Sequence, residues 1–344
     1  GRCRAISPIL LYLSGKVTPI LCLTKVPLCT LYRRSPGQGF DRIVIVVRIL
    51  IIAAVVLAAG CSRTGLIYDN GAWLAQRWVS GLVDPNSEQR EAWKDPFSAW
   101  MVEHRRDLLP EVVFLLETAE TEIARGLRHD RLDCLLDSID LVYREHARRA
   151  VALATLVLRD ITPEQIDHLA GELAESERDY REKYLDQDLK RRERERLARY
   201  VDRIEGWIGD LSTMQLAIVA RKVSEMPDTA EDWLSYRRQQ RQRLLDLLRA
   251  QADQPVLTQF LEAWWVDFAG QPPNLANKIA EVRAETIDML QALDVTLSEE
   301  QRNRFVAEVA DIRIDLEAFV DNPPPRQLAR PTIDRCAKVA QIAN

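Results

Sequence analysis

The sequence has few of the residues that turn a chain and few that carry metal or redox chemistry. Its 344 residues include 13 glycines and four histidines. HExxH, GxSxG, P-loop, GxGxxG and CxxC patterns do not occur, and no Glu stands three residues before a His. These patterns are typical of metallopeptidases, serine hydrolases, nucleotide-binding proteins, thioredoxin-like proteins and di-metal helix bundles. We therefore predict no catalytic residue and no metal site, while an enzyme whose site is assembled from distant residues stays open.

Strand-forming segments are also scarce. Alternating runs of β-branched residues are absent outside residues 43–59, so the pattern gives no support to a sheet. Leu, Ala, Arg and Glu are abundant instead, and apolar residues recur at helical spacing from residue 66 onward. We predict an all-α fold, an elongated array or bundle of several helices, over residues 61–321. The proline-rich residues 322–344 are expected to form a loose tail.

The charge of the chain is divided unevenly. Residues 1–60 hold eight Lys or Arg and one Asp, which leaves 39 basic and 51 acidic residues beyond them, a net charge of −12. A protein that binds nucleic acid needs a basic surface to neutralise the phosphates. We therefore expect no nucleic-acid partner.

One long apolar run, residues 43–59, is interrupted only by Arg48. Counted from Arg48, it is shorter than the about 20 residues of a membrane-spanning helix, but it suits the hydrophobic region of a signal peptide. The residues that end it resemble the lipobox of bacterial lipoproteins, in which small residues fit the signal peptidase and a cysteine accepts the lipid: Leu57, Ala58, Ala59, Gly60 and Cys61. This resemblance implies a signal peptide over residues 43–60 and lipidation of Cys61. An uncleaved membrane anchor and a coincidental apolar helix are the alternatives.

The residue after the cysteine bears on the destination of such a lipoprotein. An Asp in that place usually marks retention at the inner membrane, and this chain has Ser62. The resemblance therefore implies the inner leaflet of the outer membrane, with the domain facing the periplasm. Acyl chains on Cys61 would attach the protein to the membrane, and no other cofactor is expected.

Residues 1–42 show no clear period. We expect a non-native or disordered leader here, either because translation begins near residues 44–47 or because the basic region of the signal is extended. Beyond Cys61 the sequence contains two cysteines, Cys134 and Cys336. They could pair in an oxidising compartment, or each could be a separate thiol.

Two groups near the lipidated end are candidate partner-binding residues. Trp73 and Trp78 belong to an aromatic-rich helix, and Trp suits both protein cores and interfaces. His104, Arg105 and Arg106 could bind an anion or a lipid headgroup. Core packing for the tryptophans, and surface charge at a helix end for the basic cluster, are the alternatives.

Local signals place several helix boundaries. Pro110 suits the first turn of a helix running to about Gly126, and Pro96 should kink or restart the helix before it. Residues 172–199 carry many Glu/Arg pairs, which favours an exposed charged helix, with a partner-binding charged surface as the alternative. Further helices are predicted over residues 131–159, 229–251, 256–268 and 274–293.

Several segments together resemble an uncharacterised family of proteobacterial lipoproteins. They are LIYDNGAWLAQRWVSGLVD at 66–84, HRRDLLPE at 104–111, ITPEQ at 161–165 and YREKYLD at 180–186. The resemblance covers most of residues 57–320. The family carries no assigned activity, so the resemblance implies the location and a helical fold but no chemistry.

Three helix starts share a Ser or Thr followed three residues later by Gln: residues 161–165, 211–215 and 297–301. They resemble the LTxxQ motif of the Spy and CpxP type of helical periplasmic chaperones and stress regulators. A capping box produces the same pattern for structural reasons alone. The resemblance implies a non-enzymatic protein that binds other envelope proteins, as a scaffold or chaperone-like factor. A passive envelope-structure protein is a further alternative.

Overall fold

The computed structural model describes Tyr68 and residues 70–320, and this part of the chain is helical without a β-strand. The predicted all-α fold is therefore confirmed. In chain order the helices are α1 (Gly71–Val83), α2 (Ser87–Glu103), α3 (Leu109–Arg125), α4 (His129–Leu158), α5 (Pro163–Tyr184), α6 (Leu189–Ile208), α7 (Thr213–Glu225), α8 (Ala230–Arg249), α9 (Gln254–Leu261), α10 (Pro273–Asp294) and α11 (Glu299–Glu317). The predicted leader, signal peptide, lipidation site and proline-rich tail lie outside the described residues.

Most predicted helix boundaries agree with the structure, because side chains at the helix starts bind free backbone N–H groups. Thr162 caps α5 and accepts a hydrogen bond from the backbone N–H of Gln165. Pro110 lies in the first turn of α3, and Gly126 ends that helix with a φ of 98°.

Two helix starts expected near prolines do not occur. Of the two outcomes expected at Pro96, the restart is wrong, because helix α2 runs through the proline, which leaves the carbonyl of Ala92 without its usual helical donor. The helix with Pro110 in its first turn does not start anew either, since a π-helical turn, His104–Leu108, leads directly into α3.

The charged segment 172–199 is also divided, where one exposed helix was expected. Helix α5 ends at Tyr184, and α6 begins at Leu189 after Asp188, whose side chain accepts from the backbone N–H of Arg191. The sequence pattern did not reveal this break, because residues 185–188 between the two helices include neither Gly nor Pro.

The three largest buried clusters of the described residues hold the array together. The first joins α1, α2, the end of α4, α5, α8 and α9, the second joins α6, α7 and α10, and the third joins α3, the start of α4, α10 and α11. Helix α4 has 30 residues and is about 45 Å long at 1.5 Å per residue. It therefore links the first cluster to the third and fixes the distance between the two ends of the molecule.

Helix α1 is buried through small and aliphatic side chains. Ala72, Ala75, Val79 and Leu82 pack on the first cluster, whereas Trp73 is 59% exposed and therefore does not pack in the core. Small residues on the buried face let the backbone of α1 approach its neighbours closely. No helix in the described part of the chain is both long enough and apolar enough to cross a membrane.

Candidate functional site

Four helices of the array begin with the same local structure. The side chain of the residue before each helix accepts from the backbone N–H three residues on, and the Gln at that position accepts from the backbone N–H of the capping residue. Three of these starts, those of α5, α7 and α11, were expected from the sequence. The fourth, Asn86 with Gln89 at the start of α2, was missed as a member because Asn replaces Ser or Thr. An N-x-x-Q search before an apolar segment would have found it.

The structure brings these starts together in two pairs, which we call the first and second couple. In the first couple, Gln89 Nε2 donates to Gln165 Oε1 at 3.1 Å, and Gln165 Nε2 donates to Gln89 Oε1 at 2.8 Å. Each Nε2 also donates, at 3.0 Å, to a backbone carbonyl of the opposite turn, that of Asp160 or Asp84. The starts of α2 and α5 are thereby joined by four reciprocal contacts.

The second couple repeats this geometry between α7 and α11. Gln215 and Gln301 exchange amide hydrogen bonds of 2.9 and 3.1 Å. Their Nε2 groups also donate to the carbonyls of Thr296 and Asp210, at 3.2 and 3.0 Å. The same arrangement therefore occurs twice in the described part of the chain, between segments that are distant in sequence.

Each glutamine in a couple uses its whole hydrogen-bonding capacity. A primary amide has two N–H donors and an oxygen with two lone pairs. In Gln215 the oxygen accepts from the Ser212 backbone and from Gln301, while the two N–H groups reach Gln301 and Thr296. Gln215 is only 1% exposed, so this complete pairing is what allows the amide to be buried.

The surfaces around the two couples differ. Met214 and Val295, 60% and 79% exposed, are each adjacent in sequence to a residue of the second couple. The first couple borders a hollow of about 370 Å³, whose rim includes the polar groups of Arg90, Glu164 and His168. Two exposed apolar side chains thus lie next in sequence to the second couple, together with exposed polar residues such as Ser298 and Glu299.

The three residues of the predicted basic cluster, His104, Arg105 and Arg106, do not form one surface in the structure. His104 turns inward, and its Nε2 lies 3.1 Å from Nε2 of His146. The Nδ1 of His146 lies 2.7 Å from the carbonyl of Val142, and a carbonyl only accepts. His146 therefore carries its proton on Nδ1, its Nε2 accepts from His104, and the buried Nδ1 of His104 has no partner.

This histidine pair is held neutral. Burial, the neighbouring His146 and the guanidinium groups of Arg149 and Arg105 lower the pKa of His104 to about 3. Burial and Arg149 also lower the pKa of His146. Neutral histidines beside two cations form a poor site for an added proton or a metal cation.

The other candidate residues lie apart from one another. Arg105 donates to the carbonyl of Tyr68 at 2.8 Å, whereas Arg106 is exposed and pairs with Asp107. Trp73 faces solvent with Arg77 over its ring, and Trp78 is half-buried. The structure does not unite these residues in one binding surface, and residues 57–61 lie outside the described part.

Within the described residues, no group of three or more His, Cys, Asp or Glu could hold a metal ion. His104 contacts His146 and lies near arginines, with no carboxylate in hydrogen-bond contact, and His168 contacts a backbone carbonyl, that of Gly81. Neither arrangement supplies a base next to a nucleophile. These residues therefore give no support to a catalytic site.

Cys134 lies on the buried face of α4 against Leu115 and Ala119 of α3. It is disulfide-bonded, which excludes a free thiol at this position. The expected partner, Cys336, lies outside the described residues.

A protein-family model matches residues 81–266, and its description is family of unknown function, DUF6279. Because the match covers more than half of the chain, the chain belongs to this family. The expectation of an uncharacterised family is confirmed to that extent. No curated protein and no solved structure matches the chain.

Proposed function

We propose that this member of the DUF6279 family is a lipid-anchored protein of the bacterial cell envelope that binds other proteins without catalysing a reaction. In this proposal Cys61 carries the lipid, and the helical domain faces the periplasm from the inner leaflet of the outer membrane. It acts on incompletely folded proteins in the manner of the helical chaperones with LTxxQ motifs. It uses no cofactor besides the lipid.

The envelope location is supported by two independent features. The lipobox-like residues 57–61 follow an apolar run of signal-peptide length. Cys134 is disulfide-bonded, and disulfides persist in exported proteins and are rare in the reducing cytosol.

The observation that carries the binding activity is the exposure of Met214 and Val295 beside the second couple. The amides of the couple bind each other, so they do not compete with a bound segment for hydrogen bonds. Methionine adapts its shape to different partners and is common on promiscuous binding surfaces. Such a surface suits clients that expose apolar segments.

Replacement of Cys61 by Ser tests the anchor. We expect the variant to remain unprocessed by the lipoprotein peptidase and to lose the mass of the acyl chains, as measured by mass spectrometry of the purified protein. Fractionation of membranes should place the wild-type protein with the outer membrane. A variant with unchanged processing and lipidation would contradict the proposal.

An aggregation assay tests the binding activity. The lipidated protein in detergent micelles should suppress light scattering when denatured citrate synthase is diluted into buffer. The double variant Met214→Glu/Val295→Glu should lose most of this suppression. The matched control is Ile314→Glu, since Ile314 is 56% exposed on α11 but lies near the opposite end of that helix.

Crosslinking in cells separates the alternatives. Recovery of diverse unfolded clients would support the chaperone-like function. Recovery of one fixed partner would favour a scaffold function over the chaperone-like function. A wild-type protein that neither crosslinks nor suppresses aggregation would overturn the proposal.

A further inference from the structure

Two arginines of α8, Arg237 and Arg241, lie one helical turn apart where α8 packs on α5, and each is partly buried. Arg241 donates to the carbonyl of Leu173 and to Ser176 Oγ, both at 3.2 Å. Arg237 forms no hydrogen bond with the described residues, and neither arginine forms an ion pair with them. Buried cations in folded proteins are usually paired with an anion, so this pair of guanidinium groups requires an explanation.

The guanidinium group of Arg237 is held by a ring, but its N–H groups are not used. Its Cζ lies 4.2 Å from the centre of the Tyr180 ring, and the face of the ring attracts the cation. Nε and Nη2 are shielded from solvent and have no acceptor among the described residues, whereas Nη1, also without an acceptor, still reaches solvent. Because a buried N–H without an acceptor costs free energy, an acceptor from outside the described chain would stabilise this group.

Tyr180, on which Arg237 lies, is fixed by the rest of the structure. Its Oη donates at 3.3 Å to the carbonyl of Ala230, the first residue of α8. Its ring packs against the buried cluster that contains Trp233. The guanidinium group therefore has a rigid support, which reduces the conformational entropy lost when a ligand binds.

Within the described part of the chain, Glu177 is the carboxylate that acts on both arginines. It is already bound, because Arg238 Nε lies 3.1 Å from each of its two oxygens. Burial lowers the pKa of Arg237, and burial together with the charge of Arg237 lowers the pKa of Arg241 to about 10. Two neighbouring cations without a counter-ion of their own favour the binding of an anion.

We propose that Arg237 and Arg241 bind a phosphate group at the contact between α5 and α8. The phosphate approaches from the solvent side, where Nη1 of Arg237 is open, and Nη1 and Nη2 donate to two of its oxygens in the paired geometry that suits phosphate. Arg241 supplies a second positive charge one turn away, which favours a doubly charged phosphate over a carboxylate.

The attraction is local to these two side chains, since the chain beyond residue 60 carries a net charge of −12. This inference goes beyond the proposed protein-binding function and does not depend on it.

Calorimetric titration of the lipidated protein in a non-ionic detergent tests the inference. The probe is inorganic phosphate at a slightly alkaline pH, where it is a dianion, and sodium acetate and sodium chloride of equal ionic strength are the comparisons. Phosphate should bind saturably, and acetate should bind about tenfold more weakly because it carries one charge. Equal heats for phosphate and chloride in the absence of phospholipid would overturn the binding of free phosphate.

Two variants locate the binding site. Arg237→Met keeps an unbranched side chain without the guanidinium group and should weaken phosphate binding about tenfold or more. Arg243→Met is the matched control, because Arg243 is an exposed arginine of the same helix, and it should leave the affinity unchanged. If Arg237→Met does not fold, Arg237→Lys decides, since it keeps the charge without the paired N–H groups and should weaken binding severalfold. Equal affinities of the wild type and the folded Arg237 variant would overturn the proposal.

Mixed micelles that contain phosphatidylglycerol distinguish a free phosphate from a lipid headgroup with the same chemistry. If the titration of inorganic phosphate is weakened by phosphatidylglycerol in the wild type, the headgroup occupies the same site, and an unchanged titration supports a free phosphate ligand. If neither inorganic phosphate nor phosphatidylglycerol binds in a way that depends on Arg237, the proposal is overturned.

Discussion

At the scale of single residues, glutamine suits the couples through both its length and its hydrogen-bonding groups. Glutamate has the same reach but no N–H donor, and asparagine is one methylene too short to reach back to its own capping residue. In each couple the two amides also depend on each other, since every Nε2 donates to the opposite oxygen. A change in either glutamine therefore leaves polar groups of both without partners.

Gln215→Glu should lower the free energy of unfolding by about 3 kcal/mol, because it buries a carboxylate and leaves the carbonyl of Thr296 without its donor. Urea denaturation followed by circular dichroism measures the change. Gln259→Glu is the control, since Gln259 is an exposed helical glutamine and its replacement should cost less than about 0.5 kcal/mol. Equal effects of the two substitutions would contradict the role given to the second couple.

The buried histidine pair predicts a loss of stability in acid. Because the folded-state pKa of His104 is lowered to about 3, the unfolded chain binds more protons than the folded chain below the ordinary histidine pKa of about 6.5. The stability is therefore complete above that pH and declines as the pH falls towards 3. The decline approaches about 1.4 kcal/mol per pH unit for each histidine that stays neutral in the folded state.

His104→Phe should make the free energy of unfolding depend less steeply on pH between 6.5 and 5, as measured by urea denaturation at several pH values. Aromatic contacts with Tyr68 and Trp100 should help the replacement to pack. His129→Phe, at an exposed histidine, serves as the control. Parallel pH profiles for the wild type and His104→Phe would contradict the argument.

At the scale of helices, the boundaries that the sequence predicted are those with local signals. Thr162 and Pro163, or Pro110 and Gly126, act within one turn, so a short segment contains the information. The break between α5 and α6 has only Asp188 as a signal, and the charge pattern continues on both sides. The sequence left open whether the tryptophans of α1 pack in the core, because the small Ala72 and Ala75 that contact the first cluster are weak signals in an apolar pattern.

The ends of three helices meet at one ion pair, which gives an element-scale prediction. Arg302 of α11 donates to Asp294 Oδ1 at 2.7 Å and to the carbonyls of Ile123 and Asp294 at 2.8 and 2.9 Å. Arg302→Leu should lower the free energy of unfolding by about 3 kcal/mol, because the buried carboxylate of Asp294 loses its partner. Chemical denaturation measures this loss.

Two further variants control that measurement. Arg221→Leu removes an exposed ion pair with Glu225 and should cost less than about 1 kcal/mol. Asp294→Asn in the Arg302→Leu background should recover part of the loss, since it removes the unpaired charge. No recovery would show that Arg302 acts through its carbonyl contacts and not through the ion pair.

At the scale of the whole molecule, the couples were not predictable. Their members are 76 and 86 residues apart, and a local pattern identifies a helix start without showing which other start it contacts. The family membership and the helical fold, in contrast, follow from segment patterns that the sequence displays directly.

The disulfide of Cys134 gives a prediction about its partner. In the proposed lipoprotein Cys134 and Cys336 are the two cysteines beyond Cys61, so non-reducing peptide mapping should find them linked. Reduction should lower the melting temperature, since the link restricts the unfolded chain. Alkylation of both cysteines in the denatured, unreduced protein would contradict the pairing.

The interleaving of helices in the first cluster has a consequence for the order of folding. The first couple joins α2 to α5, yet the cluster beneath it also contains α8 and α9, which are synthesised after α7, the first member of the second couple. The first cluster can therefore close only after α9 has been made, and the second couple only after α11. Such non-local closure slows folding relative to a bundle of sequential hairpins, and a chain arrested between α7 and α11 contains Gln215 without its partner Gln301.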